Sequence, residues 1–109
     1  MSQFDILLQA LKKFRDERDW EQFHNPKDLA LAINVEAGEL LELFLWKPAG
    51  EENREKVKEE LADVFSFALL LADKYGFDIQ AIVEEKIEAN AAKYPVDKAK
   101  GTAKKYTEL

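Results

Sequence analysis

Glycine and proline stand at only seven of 109 positions, Pro26, Gly38, Pro48, Gly50, Gly76, Pro95 and Gly101, and most cluster between long uninterrupted stretches. Those stretches show no β alternation, internal repeat or low-complexity tract. Apolar residues instead recur at three and four, as in Phe4, Leu7, Leu8, Leu11 and Phe14. Ser2 with Asp5 reads as the capping pair of a first helix. Asn25 reads as the N-cap of a second, with Pro26 in its first turn and Asp28 behind it. That helix is expected to run to about Trp46, before the Lys47–Pro48–Ala49–Gly50 break. A third begins near Glu52 and stops around Tyr75–Gly76, where glycine suits a left-handed end. A fourth starts at Asp78 and runs until Pro95 forces its predecessor out of helix. Four helices with short connections predict an all-α fold, an antiparallel four-helix bundle over residues 1–95. Residues 96–109 form a basic C-terminal tail with Lys98, Lys100, Lys104 and Lys105, expected to pack on the bundle or on a neighbouring subunit.

Composition removes several classes of function. No cysteine is present, so disulfide frameworks, zinc–thiolate sites and thiol nucleophiles are excluded. A single histidine, His24, rules out multi-histidine metal sites. Sixteen basic against twenty-two acidic side chains leave a net charge of −6, which argues against a nucleic-acid polymer as partner. No apolar run reaches about 18 residues, so no membrane span is expected. The N-terminus is amphipathic rather than signal-like, and a cytoplasmic location is expected. The glycines are isolated, which excludes a Walker-type or dinucleotide-binding loop.

The chemistry lies where a core should be. On a wheel of about 100° per residue, Leu29, Ala32, Ile33, Leu40 and Leu43 fall within about 60° of Glu36, with Glu39 about 60° to one side. Helix three repeats the pattern: Val57, Val64, Phe67 and Leu71 flank Glu60, and Asp63 sits about 60° away. Two helices thus aim an E-x-x-E and an E-x-x-D pair inward. An ionised carboxylate in a core costs several kcal/mol, and four of them together repel strongly. A hard divalent cation such as Mg²⁺, which prefers oxygen ligands, resolves the conflict. One such pair alone reads as ordinary exposed acids; two matched pairs favour a metal site. Glu42, about 120° from Glu36, reads as solvated. A di-iron bundle needs E-x-x-H on two helices, which this chain lacks.

Helix four carries the opposite sign. Lys86, Asn90 and Lys93 share an arc with Ile79, Ile82 and Val83, with Tyr94 near its edge. The lysines either snorkel to solvent or hold the far phosphates of a metal-bound polyphosphate. Trp20 and Trp46 bracket helix two, where an indole serves a core, an interface or a stacked nucleobase. His24, beside Phe23 and Asn25, reads as a loop-facing surface residue and is also a candidate for substrate binding. Helix three is apolar almost all round from Leu61 to Ala72, which predicts burial against a second chain.

Glu36-x-x-Glu39, twenty intervening residues and then Glu60-x-x-Asp63 form a pattern that resembles the MazG-like, all-α nucleoside triphosphate pyrophosphohydrolases. Arg18 to His24, Glu36 to Trp46, Glu59 to Val64, Lys93-Tyr94-Pro95 and Lys105 to Leu109 extend the resemblance over nearly the whole chain, most closely to the dCTP pyrophosphatase branch. The resemblance implies Mg²⁺ held by Glu36, Glu39, Glu60 and Asp63. It implies cleavage of a (deoxy)nucleoside triphosphate, such as dCTP, to monophosphate and pyrophosphate. Trp20 and Trp46 would then line the base pocket, Lys86 and Asn90 would reach phosphate or sugar, and the chain would form a homodimer or a tetramer of two dimers. The role implied is cleansing of the nucleotide pool. Members of that branch resemble this chain less at two positions, carrying histidine where Leu11 stands and tyrosine where Phe67 stands, which predicts a relaxed base preference. Glu36 and Glu39 are both candidates for the catalytic base. Two other readings are a non-catalytic helical oligomerisation or adaptor module, and the same chemistry on another or a damaged nucleotide.

Overall fold

Ser2 opens the first helix by a reciprocal pair of bonds. Its hydroxyl accepts from the Asp5 N–H at 3.1 Å, and the Asp5 carboxylate accepts from the Ser2 N–H at 3.0 Å. Helix α1 follows over Gln3–Glu17. In the same way Asn25 caps α2 (Pro26–Glu42), Asn53 caps α3 (Arg54–Lys74) and Asp78 caps α4 (Ile79–Lys93), each side-chain oxygen taking an otherwise unpaired N–H three residues on. The Asn25 cap also joins α2 to the segment that carries His24. Asn25→Ala is expected to cost about 1 kcal/mol in urea denaturation, and an unchanged midpoint contradicts the capping role.

The computed structural model describes residues 1–109, and every element in it is helical. None of its helices is long and apolar enough to cross a membrane. Two boundaries differ from the sequence reading. Helix α2 ends at Glu42 rather than near Trp46: residues 43–45 tighten into i→i−3 bonds, and Trp46 takes a left-handed backbone at φ +62°. Lys47 precedes Pro48 and is kept out of helix, so the chain must leave α2 early. Helix α3 starts at Arg54, because Asn53 rather than a glutamate supplies the cap. The tail folds into α5 (Val96–Ala99) and a 3₁₀ turn at Tyr106–Glu108. A further 3₁₀ turn, Glu21–Phe23, separates α1 from α2. Gly76 does end α3 in the left-handed region, at φ +68°.

The chain divides into two compact units, Met1–Phe77 and Asp78–Leu109. In the first, α2 packs against α3 and α1 against α3. The α2–α3 pair is antiparallel, since His24 meets Phe67 at one end while Phe44 shares a groove with Val57 at the other. The buried core is small: Leu29 of α2 with Leu69, Leu70 and Ala72 of α3. The arc predicted on α2 is the arc that packs, with Leu29 buried and Ala32, Ile33, Leu40 and Leu43 half-buried. Much apolar surface stays open, including Leu31, Val35, Leu41, Leu61 and Phe65, the last 61% exposed. In the second unit, Ile79, Ala81 and Ile82 of α4 are half-buried, and Tyr94 meets Tyr106 edge-to-face at 6.0 Å.

Candidate active site

Glu36 projects from the middle of the packed face of α2, and Glu60 from the facing side of α3, both half-buried. Asp63 lies one turn beyond Glu60 and is exposed. One carboxylate oxygen from each of the three lies within 4.8 Å of the others. Glu39 is exposed one turn along α2 and close enough to act on Glu36. The sequence reading placed both members of each pair inside; the structure keeps the first of each inside and the second at the rim. The offset of about 60° between residues three apart is the reason, because it carries the second acid past the edge of the packed arc.

The electrostatics are those of crowded acids. Glu36 is pushed up to about 7 from its ordinary 4.5, first by the Glu60 carboxylate facing it, then by burial, then by the neighbouring Glu39 carboxylate and the charge of Asp63. Without a cation, a proton is retained here near neutral pH. The Oε2 atoms of Glu36 and Glu60 are also buried with no hydrogen-bond partner. Unpaired buried acceptors are costly, so this arrangement is incomplete by itself. An all-oxygen donor set, convergent and short of positive charge, fits a hard divalent ion such as Mg²⁺.

Asp63 also forms part of the wall of a cavity of about 500 Å³, together with Leu11, Trp20, His24, Ser66 and Phe67. The acidic cluster therefore opens onto a largely apolar pocket with a few polar groups, the usual form of a small-molecule site. Trp20 is fixed edge-to-face against Phe14 at 5.7 Å. His24 corrects the surface reading: the turn Glu21–Phe23 swings it inward, half-buried, with its ring 6.4 Å from that of Phe67. Burial lowers its pKa, and the nearby charges of Arg15 and Lys74 add to this against the opposing pull of Glu21, so the imidazole is neutral at pH 7. Leu11 and Phe67, the two apolar departures noted above, both face this cavity.

The other candidates are placed as follows. Trp46 is 93% exposed and does not line the cavity. Lys86, Asn90, Lys93 and Tyr94 lie at α4 in the second unit, with Lys86 and Asn90 exposed, Tyr94 half-buried, and the Lys93 ammonium 5.0 Å above the Tyr106 ring. Glu42 is exposed, in keeping with its position on the wheel. Ser66 and Arg15 in the cavity wall are not picked out by the sequence reading. Ser66 satisfies itself on the Ala62 carbonyl at 2.7 Å and no motif marks it, whereas Arg15 shares the helical face of Phe4, Leu8 and Leu11, the signal that could have found it.

The profile of the MazG-like family matches residues 31–109. The dCTP pyrophosphatase 1 proteins of Homo sapiens and Bos taurus are each 42% identical over 105 residues, covering 89% of this chain and 62% of theirs. The chain thus spans about three-fifths of the length of these curated relatives. The crystal structure of a pyrophosphatase from Archaeoglobus fulgidus superposes with a TM-score of 0.81 at 37% identity, covering 87% of this chain and 94% of that one.

Proposed function

Since the chain belongs to the MazG-like family, we propose that it is a Mg²⁺-dependent pyrophosphohydrolase of (deoxy)nucleoside triphosphates. It would convert dCTP or a related dNTP to the monophosphate and pyrophosphate. One observation carries the reading: Glu36, Glu60 and Asp63 converge, with two buried unpaired oxygens, beside a cavity walled by Trp20, His24 and Phe67. In it Glu36, Glu39, Glu60 and Asp63 hold the ion, which when bound offsets the charge of the polyphosphate. Glu36 or Glu39 takes the proton of the attacking water. Its oxygen bonds to the α-phosphorus, and the bridging P–O bond to the β-phosphate breaks with its electron pair leaving on pyrophosphate. Trp20 and His24 face the base from the cavity wall, and Trp46, Lys86, Asn90, Lys93 and Tyr94 are kept as further substrate-binding candidates on the strength of the family resemblance.

Self-association into a homodimer or tetramer belongs to the same proposal. Leu61 and Phe65 line an open groove of about 620 Å³ on α3, and a second chain would cover it. The bundle is taken as residues 1–95, with the tail 96–109 on the bundle or a neighbouring subunit, in the cytoplasm, with no nucleic-acid polymer or membrane as partner. A non-catalytic oligomerisation module would use the same groove but leaves the acidic cluster without a purpose.

Turnover across a panel of dNTPs and NTPs, with and without Mg²⁺, tests the reading. Metal-dependent release of pyrophosphate is expected. Because Leu11 and Phe67 offer a base no hydrogen bonds, rates on different bases should lie within about 100-fold. No metal-dependent turnover by the folded oligomer contradicts the reading.

Trp46 gives a sharper check. A left-handed tryptophan costs about 1–2 kcal/mol, so Trp46→Gly is expected to leave thermal stability unchanged or higher. Loss of a stacked base should nonetheless raise KM about tenfold or more. A destabilised protein or a dissociated oligomer would instead assign Trp46 to packing.

A further inference from the structure

Arg15 is the one charged residue buried in this chain, at 4% exposure, and nothing in the proposed chemistry uses it. It lies on α1 at the wall of the cavity. Its Nε donates to Asp16 at 2.8 Å, and its Nη2 lies 3.5 Å from the Glu21 carboxylate. The second oxygen of Glu21 accepts from Lys74 of α3 at 3.3 Å. One carboxylate on the 3₁₀ turn is therefore gripped by a cation from each of two helices. The backbone is tied to the same place, with the Trp20 N–H donating to the Arg15 carbonyl at 3.1 Å and the His24 N–H to the Glu21 carbonyl at 2.9 Å.

Stability alone does not call for an arginine here. Burying a guanidinium costs desolvation, and an apolar side chain of similar volume often serves a core as well or better. Asp16 and Glu21 are both more than half exposed and would stay solvated without Arg15. What an apolar residue could not do is hold Glu21. We propose that Arg15 is a positioning residue for nucleotide binding: with Lys74 it clamps Glu21, fixing the turn whose two ends present Trp20 and His24 to the cavity. This rests on the hydrolase reading for its ligand, though not for the clamp itself.

The test uses the full chain with Arg15→Met and Arg15→Lys. Arg15→Met should melt at or above the temperature of the parent. Its KM for dCTP should rise about fivefold or more with kcat within about twofold, and Arg15→Lys should recover most of the loss. In a Trp46→Phe background Trp20 is the sole indole, and its quenching by iodide should increase in Arg15→Met. If Arg15→Met does not fold, Glu21→Ala opens the clamp from its exposed end and should give the same readouts. Unchanged quenching in a folded variant, or kcat and KM altered only in step with the folded fraction, overturns the proposal. A parent that binds the α,β-imido analogue of dCTP but does not hydrolyse dCTP refutes the hydrolase reading instead. The clamp is then judged by Kd for the analogue and by quenching. A parent that binds no nucleotide overturns both.

Discussion

Glu39→Gln is expected to lower turnover by about 10²-fold or more while leaving helical content and oligomeric state unchanged. The substitution removes a charge and almost no volume, and Glu39 is exposed, so packing has little to lose. Its weight lies in the cluster. Glu39 bears on Glu36 as a neighbouring carboxylate that raises its pKa, and it completes the set of four carboxylates proposed to hold Mg²⁺. Most activity surviving in this variant would contradict the metal assignment, and loss of the fold would make Glu39 structural.

A second large effect concerns stability against pH. The carboxyl of Glu36 is raised from 4.5 to about 7, so the folded state binds its proton more tightly than the unfolded state does. The stability this brings is complete below pH 4.5 and is lost as pH rises through 7, a loss on the order of 3 kcal/mol in the metal-free protein. Melting temperature in chelator should therefore fall between about pH 5 and 8, by something on the order of 10 °C. Mg²⁺ should remove the slope, because it supplies the positive charge that the proton otherwise provides. Glu36→Gln carries no charge to lose, so it should melt at nearly constant temperature across that range and respond weakly to Mg²⁺. A flat profile in the metal-free parent, or an equal Mg²⁺ response in Glu36→Gln, would show that the acids are merely neighbours.

How far the sequence reveals this site depends on whether a feature is local. The inward placement of Glu36 and Glu60 follows from helical periodicity within one element each, and the caps at Ser2 and Asn25 from residues three apart. The division of each acidic pair into inner and rim members needs the depth of the α2–α3 seam, which no single wheel contains. Arg15 and His24 are harder. Arg15 falls within the apolar arc of α1, about 20° from Phe4 and Leu8 and about 40° from Leu11, so periodicity places it inward; its charge hides this, because an arginine on such an arc ordinarily reaches back to solvent. His24 faces inward because of the 3₁₀ turn Glu21–Phe23, three residues with no strong signature of their own. Trp46 shows the limit of propensity: nothing in Leu43–Leu45 ends a helix, and the break comes where Pro48 keeps Lys47 out of helix and Trp46 takes a left-handed backbone.

The central claim is that these carboxylates direct a water onto the α-phosphorus of a nucleoside triphosphate. Hydrolysis of dCTP with Mg²⁺ in ¹⁸O-labelled water, with the products separated and weighed by mass spectrometry, tests it most directly. The account predicts unlabelled pyrophosphate and label in the monophosphate. Label in pyrophosphate, or release of dCDP and inorganic phosphate, would contradict it.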